Sequence, residues 1–233
     1  MIISGDYMIY MGIIGVMSLI GMLVSNRLQS KAKKYGAIRM RSGITGKEIA
    51  ERMLAHYNVD GVTIVQGQGF LTDHYNPMSK IVSLSPAVHS GNSIMSAAVA
   101  AHEVGHAIQH DRGYAMLQVR SALVPFVNFS AKIQQYVLMG AFMLAASGLE
   151  WIWLIAIVLF TMTALFSFIT LPVEFDATRR ALVWLEDSGV SQGDEMDGAR
   201  DALKWAAMTY VVSALSALVM VVYLVFRYMG SNR

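Results

Sequence analysis

The sequence predicts a mainly α-helical protein embedded in a membrane, with about four transmembrane helices and a small β-sheet. Of its 233 residues, 55% are hydrophobic and 15% are charged, whereas a soluble domain carries roughly 25% charged residues. The chain has no cysteine, which excludes disulfides, thiolate metal sites and cysteine nucleophiles. These observations argue against a soluble enzyme and a disordered chain, and they favour one membrane-integral domain over residues 1–233.

The predicted spans are charge-free windows long enough to cross about 30 Å of hydrocarbon, which takes roughly 17–25 residues. Four windows meet this condition, near 7–26, 133–149, 151–173 and 205–226. The second window is the weakest because it is short and opens with Gln134 and Gln135. A fifth charge-free stretch, 81–101, contains Pro86 and His89, so we expect a strand, a turn and a helix start there rather than a span.

The orientation follows from a basic run that begins directly after the first window and extends from Arg27 to Lys47. Lys and Arg are enriched in cytoplasmic loops, so this run predicts that 27–132 and 174–204 form a cytoplasmic catalytic part. The net charge of the chain is only +2, and the position beside a span already accounts for the basic run. We therefore expect a lipid bilayer and no nucleic acid as partner.

Short elements are predicted between the first two spans. Thr45 and Glu48 match a capping box, which predicts a helix from there to about Tyr57. The β-branched runs 62–65 and 81–84 indicate a sheet of two or three strands. An extended substrate could pair with an edge strand at 62–65 or with the segment 67–72.

The next predicted helix carries the first candidate site. Asn92 or Ser93 caps it, and it runs to about Asp111, with Gly113 placed to end it. It contains the motif H-E-x-x-H at 102–106. In an α-helix, residues four apart differ by about 40° in direction and 6 Å in rise, so His102 and His106 can share one Zn²⁺. Glu103 lies beside them, where it can accept a proton without binding the metal.

A catalytic zinc site needs a third protein ligand, and Glu174 is the best candidate. It follows the third span, in a helix that Thr170 or Leu171 could cap with Pro172 in the first turn. Thr178 lies one turn further on the same face. The alternative is that Glu174 pairs with Arg179 or Arg180 at the lipid interface, while Asp176 forms ion pairs on the outer face.

Three motifs together resemble the YugP-type neutral zinc metallopeptidases of bacterial membranes: A-H-E-V-G-H-A-I-Q at 101–109, T-D-H-Y-N-P at 72–77 and L-P-V-E-F-D-A at 171–177. The resemblance covers nearly the whole chain. It implies a zinc-dependent, membrane-integral peptidase of gluzincin type in a bacterial inner membrane, with a zincin-like catalytic helix. A more distant likeness is to the HtpX and CAAX-protease group, in which an Asp four residues after the Glu ligand orients a zinc-bound His. Thr178 stands at that place and lacks the carboxylate.

The expected function is hydrolysis of peptide bonds in membrane or membrane-associated proteins, through one zinc ion, a zinc-activated water and Glu103 as general base. An oxyanion donor is also needed, and four residues are candidates: His74, Tyr75, Asn128 and Arg120. The alternative is a non-catalytic zinc-binding membrane scaffold, in which His74 or His110 would close the metal site. The sequence does not indicate an oligomeric state.

Overall fold

The computed structural model describes residues 2–144, 149 and 151–231, apart from the side chains of 2–4 and 231. The chain is mainly helical and carries one small sheet. In chain order the elements are α1 (Ile2–Gly36), α2 (Gly46–His56), β1 (Thr63–Gln66), β2 (His74–Asn76), β3 (Ile81–Leu84), α3 (Pro86–His89), α4 (Ile94–Asp111), α5 (Ala115–Met143), α6 (Trp151–Asp187) and α7 (Asp194–Ser231).

Within the described residues, three helices are long and apolar enough to cross a membrane. They cover Gly5–Gly36, Trp151–Asp187 and Asp194–Gly230, and they contain the predicted spans near 7–26, 151–173 and 205–226. The predicted span 133–149 overlaps α5, which begins much earlier and is not among the three. Residues 145–148 of that prediction lie outside the described residues. The predicted fold class, mainly helical with membrane-spanning helices and a small sheet, is confirmed.

The chain divides into two compact units. Unit 1 consists of Met1–Val24, Val119–Leu171 and Thr209–Arg233, and unit 2 consists of Ser25–Gln118 and Pro172–Met208. Unit 2 has nearly the same limits as the predicted catalytic part, 27–132 and 174–204, except that 119–132 belong to unit 1. The cytoplasmic placement of this part and the single domain over 1–233 stay predictions.

Unit 1 has a core of its own among the apolar helices. Trp153, Leu138 and Leu224 are almost completely buried there. Arg227 lies over the ring of Trp153, with its guanidinium carbon 5.1 Å from the ring centroid, and its Nε lies 2.7 Å from Asp6 Oδ2. Charged groups near the apolar end of a helix need such partners, because an unpaired charge in hydrocarbon is costly.

Unit 2 is built around α4, most of which is buried. The helix starts where predicted, since the Ser93 hydroxyl accepts a hydrogen bond from the Ser96 amide. Gly113 follows the end of the helix with φ +63°, a conformation that glycine adopts without strain. The predicted capping box of α2 is also present, with Thr45 and Glu48 exchanging hydrogen bonds.

The sheet of unit 2 has three strands in the order β1-β3-β2. Strand β3 is central; it runs parallel to β1, with Thr63 opposite Ile81, and antiparallel to β2, with Tyr75 opposite Val82. Strand β1 is therefore an edge strand, as predicted, whereas the segment 67–72 lies outside the strands.

The predicted helix start at Thr170–Pro172 is wrong, because α6 continues through Pro172 without a break. A proline inside a helix removes one backbone hydrogen bond, and apolar helices tolerate this where hydroxyl groups and neighbouring helices supply other contacts. The Thr170 hydroxyl donates to the Phe166 carbonyl at 2.8 Å, so it supports the helix rather than capping a new one. As a consequence, Glu174 lies inside α6 and not at a helix start.

Candidate metal centre

Helices α4 and α6 of unit 2 approach each other very closely at one glycine. A Cβ added to Gly105 would lie 2.7 Å from the Ala177 carbonyl oxygen and 3.1 Å from its Cα. No side chain fits at such distances without moving one of the helices. Gly105 therefore permits the approach that brings the two histidines of α4 to the carboxylate of α6.

Three side chains meet at this approach. Among the described residues, His102, His106 and Glu174 form a group that could hold a metal ion, with one ligand atom from each lying within 4.8 Å of the others. Glu174 Oε2 lies 3.3 Å from His102 Nε2 and 3.5 Å from His106 Nε2. Glu174 is 1% exposed. The structure thus brings together the three predicted ligands.

His106 is held by a buried glutamine. Its Nδ1 lies 3.0 Å from Gln109 Oε1, and Gln109 Nε2 donates to the Val173 carbonyl at 2.7 Å and to Asp176 Oδ2 at 2.9 Å. Both of these partners only accept hydrogen bonds, so the amide orientation of Gln109 is determined and its Oε1 must be the acceptor. Nδ1 of His106 therefore carries the hydrogen, and the lone pair of the neutral ring is on Nε2, which is directed at Glu174.

His102 has a simpler support. Its Nδ1 lies 3.2 Å from the Thr178 hydroxyl of α6, which can donate or accept. Thr178 was predicted to share the helix face of Glu174. In the structure the two residues contact opposite nitrogens of the His102 ring, Thr178 at Nδ1 and Glu174 at Nε2. This contact leaves Nε2 of His102 directed at Glu174.

Glu103 is buried next to this group but is not a member of it. Glu103 is only 7% exposed. Burial raises the pKa of Glu103 above its ordinary value, while the nearby His102 and His106 act in the opposite direction. A carboxylate with a raised pKa is a better proton acceptor near neutral pH than an exposed one.

The three ligand residues fit a zinc ion. For bonds of about 2.0 Å, the ligand atoms of a tetrahedral site lie about 3.3 Å apart, close to the measured Nε2–Oε2 separations. A neutral Nε2 and a carboxylate oxygen are both acceptors, and they repel at this distance unless a cation or a proton lies between them. In the protein without metal, burial opposes protonation of His106, but the hydrogen bond and charge of Glu174 prevail and raise its pKa.

Four further residues were predicted as site candidates: His74, Tyr75, Asn128 and Arg120. His74 is exposed on β2 and its Nδ1 donates to the Thr72 carbonyl at 2.9 Å. The hydroxyl of Tyr75 lies 2.8 Å from His110 Nδ1, so His110 contacts the sheet, and neither belongs to the group of three. Arg120 and Asn128 lie on α5 in unit 1. A role for any of these residues as an oxyanion donor stays a prediction.

The role of Gln109 was not predicted from the sequence, and only some of the contacts of Asp176 were. Asp176 forms ion pairs, as predicted, and its partners are Arg179 and Arg180, the residues named above as alternative partners of Glu174. The same carboxylate also accepts from Gln109. A signal was present in the sequence, because position 109 is about 20° from position 102 around a helix of 3.6 residues per turn. A further polar residue on the buried face of the two histidines needs a partner.

The fold and the site together describe a protein with helices long and apolar enough to cross a membrane and a largely buried group of two histidines and one carboxylate that could hold a metal ion. Residues 9–229 match the model of the family described as "putative neutral zinc metallopeptidase". The chain is 38% identical over 192 residues to "Putative membrane protease YugP" of Bacillus subtilis (strain 168), a match covering 82% of this chain and 84% of that protein. No solved structure matches the chain. The chain belongs to this zinc metallopeptidase family.

Proposed function

We propose that the protein is a zinc-dependent, membrane-integral endopeptidase of gluzincin type that cleaves membrane or membrane-associated proteins. One zinc ion would be held by His102, His106 and Glu174. The observation that carries the proposal is the meeting of these three side chains at distances that suit tetrahedral zinc, with Glu103 buried beside them. Zinc bound there would supply a Lewis acid that lowers the pKa of water and polarises the peptide carbonyl.

Glu103 is the proposed general base. It takes a proton from the attacking water as the new C–O bond forms, and it then gives this proton to the nitrogen of the breaking C–N bond. Burial suits it to both steps, because the raised pKa stabilises the protonated form between them.

The alternative function, a zinc-binding scaffold, predicts a fourth protein ligand. Within the described residues the group has three members, while the two histidines that would close it are bonded to Thr72 and Tyr75. A three-ligand site leaves one position for water or substrate, which is typical of catalytic zinc. This difference favours the peptidase.

The position of Glu174 on α6 supports the proposal of membrane substrates. This helix also contains the apolar window near 151–173, so the metal centre would lie close to the membrane surface. We propose that this surface is the cytoplasmic face of the bacterial inner membrane, because Arg27 and the basic residues after it follow the first apolar window.

The test is cleavage of a mixed peptide pool by the purified protein in detergent, followed by mass spectrometry. We expect cuts that disappear on treatment with a chelator and return when one equivalent of zinc is added. Glu174→Gln should give no cuts under either condition, and Glu186→Gln serves as its control because Glu186 lies on the same helix with its side chain 64% exposed. Cuts that persist in chelator, or that Glu174→Gln makes as well as the wild type, would refute the proposal.

A further inference from the structure

The two histidines of the metal centre are supported unequally, and the stronger support involves a residue outside the ligand set. Gln109 is completely buried and lies one turn after His106 on α4. Its side chain makes three hydrogen bonds, of which one is to the ligand and two are to α6. Resting on the proposed function, we infer that Gln109 is a positioning residue that determines the tautomer and orientation of His106 and ties it to the segment that carries Glu174.

The contacts of Gln109 with α6 lie on both sides of Glu174. Gln109 Nε2 bonds the Val173 carbonyl, which precedes Glu174, and the Asp176 carboxylate, which lies two residues after it. A rotation or sliding of α6 relative to α4 would therefore break the amide contacts as well as the ligand contacts. Gln109 thus couples the orientation of one ligand to the position of another.

The hydrogen-bond partner of His106 Nδ1 is uncharged. Histidine ligands commonly donate to a carboxylate, a backbone carbonyl or water. Here a neutral amide lies between His106 and the carboxylate of Asp176, which is itself paired with Arg179 and Arg180. His106 therefore receives a fixed acceptor without a full negative charge at Nδ1. The imidazole is held as a neutral ligand, and Glu174 is the charged member of the set.

Removing the side-chain amide of Gln109 would cost several hydrogen bonds at once. Gln109 donates hydrogen bonds to the buried Val173 carbonyl and to the partly buried Asp176 carboxylate, and it accepts one from the buried Nδ1–H of His106. An apolar residue at 109 would leave these groups without their partner. The imidazole could then rotate about its Cβ–Cγ bond, and Nε2 would lose its fixed direction.

The experiment measures zinc affinity by competition with a chromophoric chelator, together with the d–d absorption of the Co²⁺-loaded protein. Gln109→Met removes the hydrogen bonds with little change in length or volume. We expect zinc affinity to fall about 10–100-fold, the usual effect of losing such an outer partner, and the Co²⁺ spectrum to change. Gln118→Met is the control, since Gln118 is an exposed glutamine on α5.

A pair of charge variants keeps the inference testable if Gln109→Met folds poorly. Gln109→Glu retains an acceptor for His106 but sets a carboxylate against the Val173 carbonyl and Asp176, so zinc affinity should fall. Adding Asp176→Asn restores a hydrogen-bond donor opposite the new carboxylate. The double variant should therefore bind zinc at least about tenfold more tightly than Gln109→Glu, a difference of about 1.4 kcal/mol.

The outcomes separate this inference from the proposed function. Wild type that binds no zinc would overturn both. Wild type that binds zinc, with Gln109→Met within about threefold of it and an unchanged Co²⁺ spectrum, would overturn only the positioning role. A double variant no better than Gln109→Glu would also overturn it, because a purely structural role for the glutamine predicts no rescue from position 176.

Discussion

The two metal-facing imidazoles of this protein differ in how they are held. His102 has one hydroxyl partner, Thr178, at 3.2 Å. His106 is tied through the buried Gln109 to two points of α6 on either side of Glu174. The difference teaches that the candidate metal centre is assembled between two helices. The orientation of its ligands depends on hydrogen bonds to residues that are not part of the ligand motif.

The largest effect should come from removing the ligand that both imidazoles face. Glu174→Gln keeps the shape of the side chain but removes its charge, so zinc affinity should fall by more than about 100-fold, beyond the 10–100-fold typical of outer partners. Equilibrium dialysis with zinc measures this. A zinc affinity within tenfold of wild type would mean that Glu174 is not a ligand. His102 and His106 would then bind zinc without it.

The close approach of the helices can be tested at Gly105. Gly105→Ala places a Cβ 2.7 Å from the Ala177 carbonyl oxygen, and overpacking of this kind costs about 1–3 kcal/mol. We expect a lower thermal midpoint and a weaker zinc site, because the ligands of α4 and α6 are forced apart. Gly140→Ala is the matched control, since nothing lies within 4 Å of its added Cβ. Equal stability of Gly105→Ala and Gly140→Ala would contradict the tight packing.

The raised pKa of His106 predicts how zinc binding depends on pH. Zinc and a proton compete for Nε2, and the carboxylate of Glu174 raises the pKa of His106 above 6.5 although burial acts against it. As the pH is lowered, the zinc affinity should therefore begin to fall before pH 6.5 is reached. The fall should be up to about tenfold per pH unit for each competing proton. Zinc titrations at pH 6, 7 and 8 measure it, and an affinity that is flat over this range would contradict the assignment.

The smallest effect is expected at the weaker support. Thr178→Val removes the hydroxyl next to His102 while keeping a β-branched side chain, and we expect a loss of zinc affinity of about threefold to tenfold. This range corresponds to one neutral hydrogen bond of about 0.5–1.5 kcal/mol. Zinc affinities of Thr178→Val and Gln109→Met measured side by side compare the supports of His102 and His106 directly. A larger loss from Thr178→Val than from Gln109→Met would reverse the order of the two supports.

Much of the fold could be predicted because its signals are local. The capping groups Thr45 and Ser93, the turn at Gly113 and the β-branched runs each act within a few residues. The continuity of α6 through Pro172 could not be predicted, since proline breaks a helix by its local chemistry and is retained only where the surroundings compensate. The predicted span 133–149 likewise overlaps only the C-terminal part of α5, because Lys132 bounds the charge-free window from which the span was predicted.

The candidate site divides in the same way. His102, Glu103 and His106 follow from one motif, and Glu174 follows from the need for a third ligand. Gln109 and its bond to Asp176 depend on the exact separation of α4 and α6, which Gly105 permits and which no local pattern encodes. Asp176 was expected to make outward ion pairs because it lies roughly 200° from Glu174 around the helix. Its contact with Gln109, which is 67 residues away in the sequence, could not be predicted in this way.

The most direct test of the account measures zinc content and peptide cleavage on the same preparations of wild type and Glu103→Gln. Glu195→Gln is the matched control, because Glu195 is also 7% exposed and accepts a hydrogen bond from the Arg41 amide, apart from the group of three. We predict one zinc per chain in all three proteins, with cleavage by wild type and Glu195→Gln and none by Glu103→Gln. Loss of zinc from Glu103→Gln would make Glu103 a ligand, and turnover equal to wild type would remove it as the base; either result would contradict the account.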